Sequence, residues 1–354
     1  MNERGVTREK SNGKMERPVH LTRRFMKSFV VALTVAFVFA ISAGVAAGQS
    51  GPPPWAYGFE SAGAPLPKPG SQSLPKDDGT PKHLPGSKFG FTLAQIWDQF
   101  GPADWYPEDH PVMPEIVAHG RKPDVRACGF CHYPNGKGRS ENTSIAGLPY
   151  AYFVQAIADF KSGARKTADR RRLNADFMNT FASGMTDDDV KAAALYFGAM
   201  KWTPWIRVVE TDMVPKIGNV GHMFLALEGG EKEPIGNRII EVPENTEATA
   251  VLRDDHSGFI AYVPVGSIKK GEELVTKGSG KTLACGGCHG TNLEGLGPVP
   301  GIAGRSPSYI ARQLYDMQQG FRNGVWTEMM KPVVAHLSED DILAIAAYTA
   351  SRVP

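Results

Sequence analysis

The sequence predicts a mainly α protein: a duplicated helical domain, a small β-containing insert between the copies, and a Pro-rich irregular N-terminal arm. Three observations carry this. A five-residue motif, C-x-x-C-H, occurs at residues 128–132 and again at 285–289, with no cysteine left over. The residues after it repeat at a constant offset of 157. Ile145-Ala146-Gly147 matches Ile302-Ala303-Gly304, Tyr152 matches Tyr309, Asp159 matches Asp316, and Gly163-x-Arg165 matches Gly320-x-Arg322. Each copy then closes on one helix-entry signature, Met185-Thr186-Asp187-Asp188-Asp189-Val190 and Leu337-Ser338-Glu339-Asp340-Asp341-Ile342. Here the offset is 152, so the second copy carries a loop five residues shorter.

Residues 1–48 are expected to be a signal peptide or N-terminal anchor. Arg23, Arg24 and Lys27 precede an uncharged run over 29–43 and a small-residue stretch over 44–48, the order of a secretory leader and its cleavage site. Extended to Gly48 the run has 20 residues, the length of a membrane span, so an uncleaved anchor is the competing reading. The paired arginines lack the spacer of a twin-arginine signal and read as an ordinary leader.

Residues 49–111 form the Pro-rich extension. Pro52-Pro53-Pro54 and Pro65-x-Pro67-x-Pro69 predict extended or irregular chain, with one short amphipathic helix over 92–100 through Leu93, Ile96, Trp97 and Phe100. The first helical domain spans 112–200, its first helix near 114–118. In the insert, 201–265, β-branched stretches at 206–209, 238–242 and 259–263 lie between Gly/Pro turns and predict strands. The second domain spans 266–354, its first helix capped by Ser267 and running over 268–276. Thr186 and Ser338 are expected N-caps, with Asp189 and Asp341 at the third helical position completing short-armed capping boxes. Behind them, Val190, Ala194 and Phe197 in one copy and Ile342, Ala346 and Thr349 in the other recur at i, i+4, i+7.

Length and charge narrow the function. A chain of 354 residues suggests two or three domains. The net charge is +2, but residues 1–48 hold eight Lys/Arg and three acids, leaving −3 for the remainder. A nucleic-acid partner therefore has no electrostatic footprint.

In an exported chain four cysteines would ordinarily make two disulfides, yet their spacing argues otherwise. Two thiols at C-x-x-C spacing can add to the two vinyl groups of one haem, placing the next histidine beneath the iron. A thioredoxin-like pair needs no histidine there. Zinc sites usually set their halves 15–20 residues apart, whereas Cys131 and Cys285 are 154 apart. The expected cofactors are therefore two covalently bound haem c groups. Cys128, Cys131, Cys285 and Cys288 are the attachment points, and His132 and His289 are axial iron ligands.

The offset of 152 selects the opposite ligands from twelve methionines. Met178 falls on Met330, each seven residues before the helix-entry signature, so these two are expected at the sixth iron position. Met185 falls on Leu337 and reads as core; Met329 falls on Phe177 and reads as packing. A thioether opposite histidine raises the potential, which suits electron transfer.

On these motifs each copy resembles a class I cytochrome c domain, and the tandem resembles the dihaem cytochrome c4 type, over residues 112–200 and 266–352. The resemblance implies all-α domains whose first helix crosses the last. It also places Pro300 in a loop against the proximal histidine. Thr143 stands there in the first copy, so the proximal surroundings are expected to differ. Arg165 and Arg322 are expected either to pair with haem propionates or to face solvent, and Tyr152 and Tyr309 to line the haem pockets or pack in the core. His83, His110, His119, His222, His256 and His336 read as surface or core histidines, with His222 and His256 as reserve ligands if a methionine is displaced.

The leading function is a periplasmic carrier of single electrons between redox partner proteins, soluble after signal cleavage or anchored to the inner membrane. One alternative is a cytochrome subunit of a dehydrogenase or oxidase complex. Another is a dihaem peroxidase, which needs an open iron position with an acid beside it; near the methionines only Asp176 and Glu328 are candidates.

Overall fold

The computed structural model describes residues 51–64 and 75–354, all within the unit Gln49–Pro354. The expected leader or anchor lies outside the described residues. Among the described residues no helix is long and apolar enough to cross a membrane.

The described part of the arm is largely irregular in backbone but contributes to the core, and the Pro65-x-Pro67-x-Pro69 stretch lies outside the described residues. Pro54–Tyr57 makes a 3-10 turn ended by Gly58 at φ 77. Trp55, Ala56, Tyr57 and Phe59 are buried in the same apolar cluster as the helices of the second repeat. Two short strands, β1 (Lys82–His83) and β2 (Gly90–Phe91), pair antiparallel. Helix α1 (Leu93–Ile96) starts at a Thr92/Gln95 capping box but stops after one turn, short of the expected Phe100. Trp97 caps its C-terminus, and its indole donates to the Val251 carbonyl at 2.9 Å. One turn of isolated helix is too weak to outcompete such a tertiary bond.

The first repeat contains α2 (Glu115–Ala118), α3 (Cys128–His132), α4 (Tyr150–Lys161), α5 (Asn174–Gly184) and α6 (Asp187–Gly198). The Thr186/Asp189 capping box forms as expected. Arg121 adds an ion pair to Asp189 at 2.8 Å.

In the insert, β3 (Ile206–Glu210), β8 (Ile240–Pro243) and β9 (Phe259–Val263) form a sheet ordered β3-β9-β8. Strand β3 runs parallel to β9 with Ile206 opposite Phe259, and β8 runs antiparallel to β9. Between them, β4 (Met213–Pro215) pairs with β7 (Lys232–Pro234) and β5 (Ile217–Val220) with β6 (Met223–Ala226). The sequence reading missed these four, which are short and in β7 polar, Lys-Glu-Pro.

The second repeat contains α7 (Ser267–Lys277), α8 (Gly286–His289), the hairpin β10 (Gly295–Leu296) with β11 (Val299–Pro300), α9 (Pro307–Gln318), α10 (Lys331–Val334) and α11 (Glu339–Ala350). The expected Ser267 cap is replaced. Gly266, at φ 89, takes the cap position, and Ser267 is the buried first helical residue. The Glu210 carboxylate, from the end of β3, accepts the Ile268 amide at 2.9 Å. An acid at a helix N-terminus satisfies a free amide and opposes the dipole. Helix α7 crosses α11 at Gly271, where a Cβ would stand 2.0 Å from the Ala344 carbonyl oxygen. Helix α11 is buried from Asp341 to Ala350, whereas α6 leaves Leu195 exposed.

Candidate haem sites

In each repeat the C-x-x-C-H segment folds into a single helical turn, α3 or α8. The turn presents its two thiols and the histidine to one cavity. Cys128, Cys131 and His132 line the first cavity with Met178; Cys285, Cys288 and His289 line the second with Met330. Burial pushes the Cys128 thiol up to about 12 and the Cys285 thiol up to about 11.

The two histidines are held alike. His132 Nδ1 bonds to the Thr143 carbonyl at 2.8 Å, and His289 Nδ1 bonds to the Pro300 carbonyl at 2.8 Å. The proximal difference expected from Thr143 standing in place of proline is absent from this bond, because the acceptor is a main-chain oxygen that either residue supplies. Such a bond sets the ring orientation and leaves Nε2 to a metal. Burial also lowers both imidazole pKa values, which favours the neutral, ligating form.

The methionines arrive differently. Met178 lies within the eleven-residue helix α5. Met330 sits between the 3-10 turn Val325–Met329 and α10. Met185 is buried, as expected, but also lines the first cavity. Met329 is no packing residue: it is 64% exposed, at the margin of the second cavity.

The cavities share a wall of Thr143, Leu148, Tyr152, Ala156, Tyr309 and Gln313. Both flanking arginines, Arg165 and Arg322, are buried, which removes the solvent-facing reading. Arg165 donates to the Tyr309 hydroxyl at 2.9 Å, and Arg322 donates to the Tyr152 hydroxyl at 2.9 Å. Gln313 Oε1 accepts from both guanidinium groups, at 2.9 and 2.8 Å. Burial alone would raise the Tyr309 hydroxyl, but the two arginines outweigh it and pull it down to about 7. Arg322 Nε and Thr167 Oγ1, the latter lining the first cavity, are buried without a hydrogen-bond partner. Apolar cavities lined by a thiol pair, an oriented neutral imidazole, a methionine thioether and buried arginines suit a haem with its two carboxylates.

His83, His110, His119, His222, His256 and His336 line neither cavity, so His222 and His256 are not placed as reserve ligands. His110 pairs with Asp104 at 3.1 Å, and His256 stacks on Tyr106 at 3.6 Å. Asp176 and Glu328 also lie outside both cavities. The carboxylates that do line them are Glu141, Asp316 and Asp159. The repeat had paired Asp159 with Asp316 without giving either a place in a cavity, and Glu141 and Gln313 went unnoticed in the sequence. Gln313 falls on Ala156 at the repeat offset, so symmetry gave no signal for it.

No family model matches the chain. It is 25% identical over 229 residues to cytochrome c4 of Azotobacter vinelandii, covering 62% of this chain and 82% of that one. It is 37% identical over 76 residues to cytochrome c-554(548) of Halomonas halodenitrificans, covering 21% of this chain and 92% of that one. Among solved structures, reduced recombinant cytochrome c4 from Pseudomonas stutzeri aligns at 22% identity with a TM-score of 0.42, covering 64% of this chain and 93% of that one.

Proposed function

Because the chain belongs to the c-type cytochromes, as a dihaem electron-transfer protein of the cytochrome c4 kind with two covalently bound haem c groups, we propose that it carries single electrons between redox proteins of the periplasm. In this reading Cys128 and Cys131 attach one haem and Cys285 and Cys288 the other. His132 with Met178, and His289 with Met330, complete the two iron spheres. The observation that carries the reading is the pairing, in each cavity, of a C-x-x-C-H turn with the one methionine that the repeat makes equivalent.

When bound, the haems supply one-electron redox chemistry in which no bond to a substrate is made. The chain's part is to hold and insulate. The Thr143 and Pro300 carbonyls fix the imidazole rings. Phe153, Ile157 and Phe181 in one cavity, and Ile310, Leu314 and Ile345 in the other, exclude water. Arg165 and Arg322 place buried positive charge beside the shared wall, suited to haem carboxylates. The charged-then-apolar leader over 23–48 supports export.

Intact-mass measurement of mature protein from a host competent in cytochrome c maturation tests the reading. Two haem additions and a chain beginning after the leader are expected, with Cys128→Ala or Cys285→Ala each compromising one haem. A haem-free, disulfide-linked product overturns it.

A further inference from the structure

The two C-x-x-C-H turns are equivalent in sequence but not in their outer cover. In the first, Gly129, Phe130 and the following Tyr133–Gly136 are buried. In the second, Gly287 and Cys288 are exposed, and a Cβ built on Gly287 meets nothing within 4 Å. Phe130 and Gly287 are equivalent at the repeat offset, so one ring marks the difference.

Segments that have no counterpart in the second repeat cover the first turn. Trp97 and Trp105 of the arm donate their indole N–H groups to the Val251 and Leu252 carbonyls, both at 2.9 Å. The next residue, Arg253, is buried and donates to the Phe130 carbonyl. Its guanidinium lies 4.3 Å from the Phe130 ring centroid, 4.9 Å from that of Trp97 and 5.6 Å from that of Tyr133. The backbone at Arg253 is left-handed, φ 56, a strained setting for a long side chain. Asn135 fastens the same loop to the turn by donating to the Asp255 carbonyl at 2.8 Å.

We infer that Arg253, clamped among Trp97, Phe130 and Tyr133, seals the thioether edge of the first haem, so that electron exchange with partner proteins at that edge takes place only at the second motif, over Gly287 and Cys288. The step is outer-sphere: a one-electron donor protein is oxidised by one electron, the iron held by the second motif is reduced from ferric to ferrous, and no bond forms or breaks. A thioether joins the edge of the macrocycle directly to the cysteine, so an exposed cysteine marks an exposed edge. The inference rests on both motifs carrying haem, and it deepens the carrier reading by assigning the two haems different access to partners.

The test uses holoprotein whose two haems have first been counted by intact mass; a count of one defeats the underlying reading before this one is reached. In the reduced, diamagnetic protein, a neutral gadolinium chelate broadens proton resonances near solvent. The thioether-side resonances of the second haem are expected to broaden at least about five-fold more than those of the first. Arg253→Asn, which keeps a residue tolerant of left-handed backbone, is expected to raise broadening at the first haem several-fold and leave the second unchanged. If that variant fails to accumulate, Gly287→Phe supplies the reciprocal test in open space. It is expected to cut broadening at the second haem and slow its reduction by a photoreduced flavin at least about three-fold. Equal broadening of the two edges in the parent protein, or a Gly287→Phe variant that leaves both signals and rates unchanged, overturns the inference.

Discussion

Arg165 and Arg322 lie opposite one another in an antiparallel bridge between the two repeats. The Lys166 amide donates to the Phe321 carbonyl and the Asn323 amide to the Ala164 carbonyl, each at 2.8 Å. Under the offset of 157, Lys166 is equivalent to Asn323 and Ala164 to Phe321, so the two bonds are one interaction made twice. Each arginine then reaches across to the other repeat's tyrosine. The duplication thus produced a reciprocal joint, set against the wall shared by the two cavities. Gln313 breaks its symmetry.

Gln313 Oε1 is the common acceptor of both buried guanidinium groups. Gln313→Leu leaves two cations short of a partner in one place, and each lost charged hydrogen bond costs about 1.5–3 kcal/mol. Denaturant unfolding of the holoprotein should show a loss of about 3 kcal/mol. Tyr152→Phe, which removes one bond of one arginine, should cost less. Equal losses for the two variants would show that Gln313 does not act on both arginines.

Where the sequence was legible, the reason is duplication or local chemistry. Met178 and Met330 stand out among twelve methionines only because the second offset pairs them, and the Thr186 and Ser338 capping boxes form where their short-range pattern placed them. Trp55, Tyr57 and Arg253 were not legible. They belong to segments outside the repeat, and their partners lie more than 100 residues away: Arg253 donates to the Phe130 carbonyl across 123 positions and the Tyr57 hydroxyl to the Asp316 carboxylate across 259. Such bonds leave no periodic trace. The Ser267 cap failed for a related reason, since a long-range carboxylate, Glu210, took over the role.

The α7–α11 crossing depends on a missing methyl group. Gly271→Ala would gain about 0.5–1 kcal/mol of helix propensity, but the new Cβ would fall 2.0 Å from the Ala344 carbonyl oxygen and 2.6 Å from Tyr348 Cβ. Backbone cannot yield as a side-chain tip can, so overpacking should win, with a net destabilisation of about 1–2 kcal/mol. Thermal unfolding followed by far-ultraviolet dichroism checks the sign.

The ligand assignment separates four methionines. Met178→Ala and Met330→Ala should each open one iron, remove that haem's sulfur-to-iron charge-transfer band and lower its potential. Met329→Ala should leave both bands in place, its side chain being 64% exposed. Met185 lines the same cavity as Met178, so Met185→Ala is the sharper control. Loss of the first haem's band in that variant alone would exchange the two roles.

Asp255 sets a pH dependence. Burial, reinforced by Asp254 and Asp104 against the opposing charge of His256, raises its carboxyl to about 7, and Oδ1 has no hydrogen-bond partner. The folded state therefore holds a proton that the unfolded state releases near pH ~4. Stability from this group is complete below that value and falls as pH rises toward about 7, by up to ~4 kcal/mol. Asp255→Asn should flatten this slope and raise stability above about pH 7. An unchanged slope across that window would place the proton elsewhere.

Peroxide turnover separates carrier from enzyme. Peroxide chemistry needs a vacant iron position with a free acid or base beside it. Asp176 and Glu328, the acids nearest the methionines in sequence, line neither cavity, and Glu328 is paired with Lys331 at 2.5 Å. The carboxylates that do line the cavities are already engaged. Glu141 pairs with Arg139 at 2.5 Å, Asp316 accepts the Tyr57 hydroxyl at 2.7 Å, and Asp159 accepts from Gln155 at 2.7 Å. Under the proposed ligation, a thioether as well as an imidazole on each iron, peroxide turnover should stay near that of a free haem peptide, including after prereduction of one haem. Both haems should meanwhile accept and release one electron each with outer-sphere reagents. A clear rise in turnover on half-reduction, together with a new high-spin signal, would mean that one methionine leaves its iron, and would replace the carrier reading with a peroxidase.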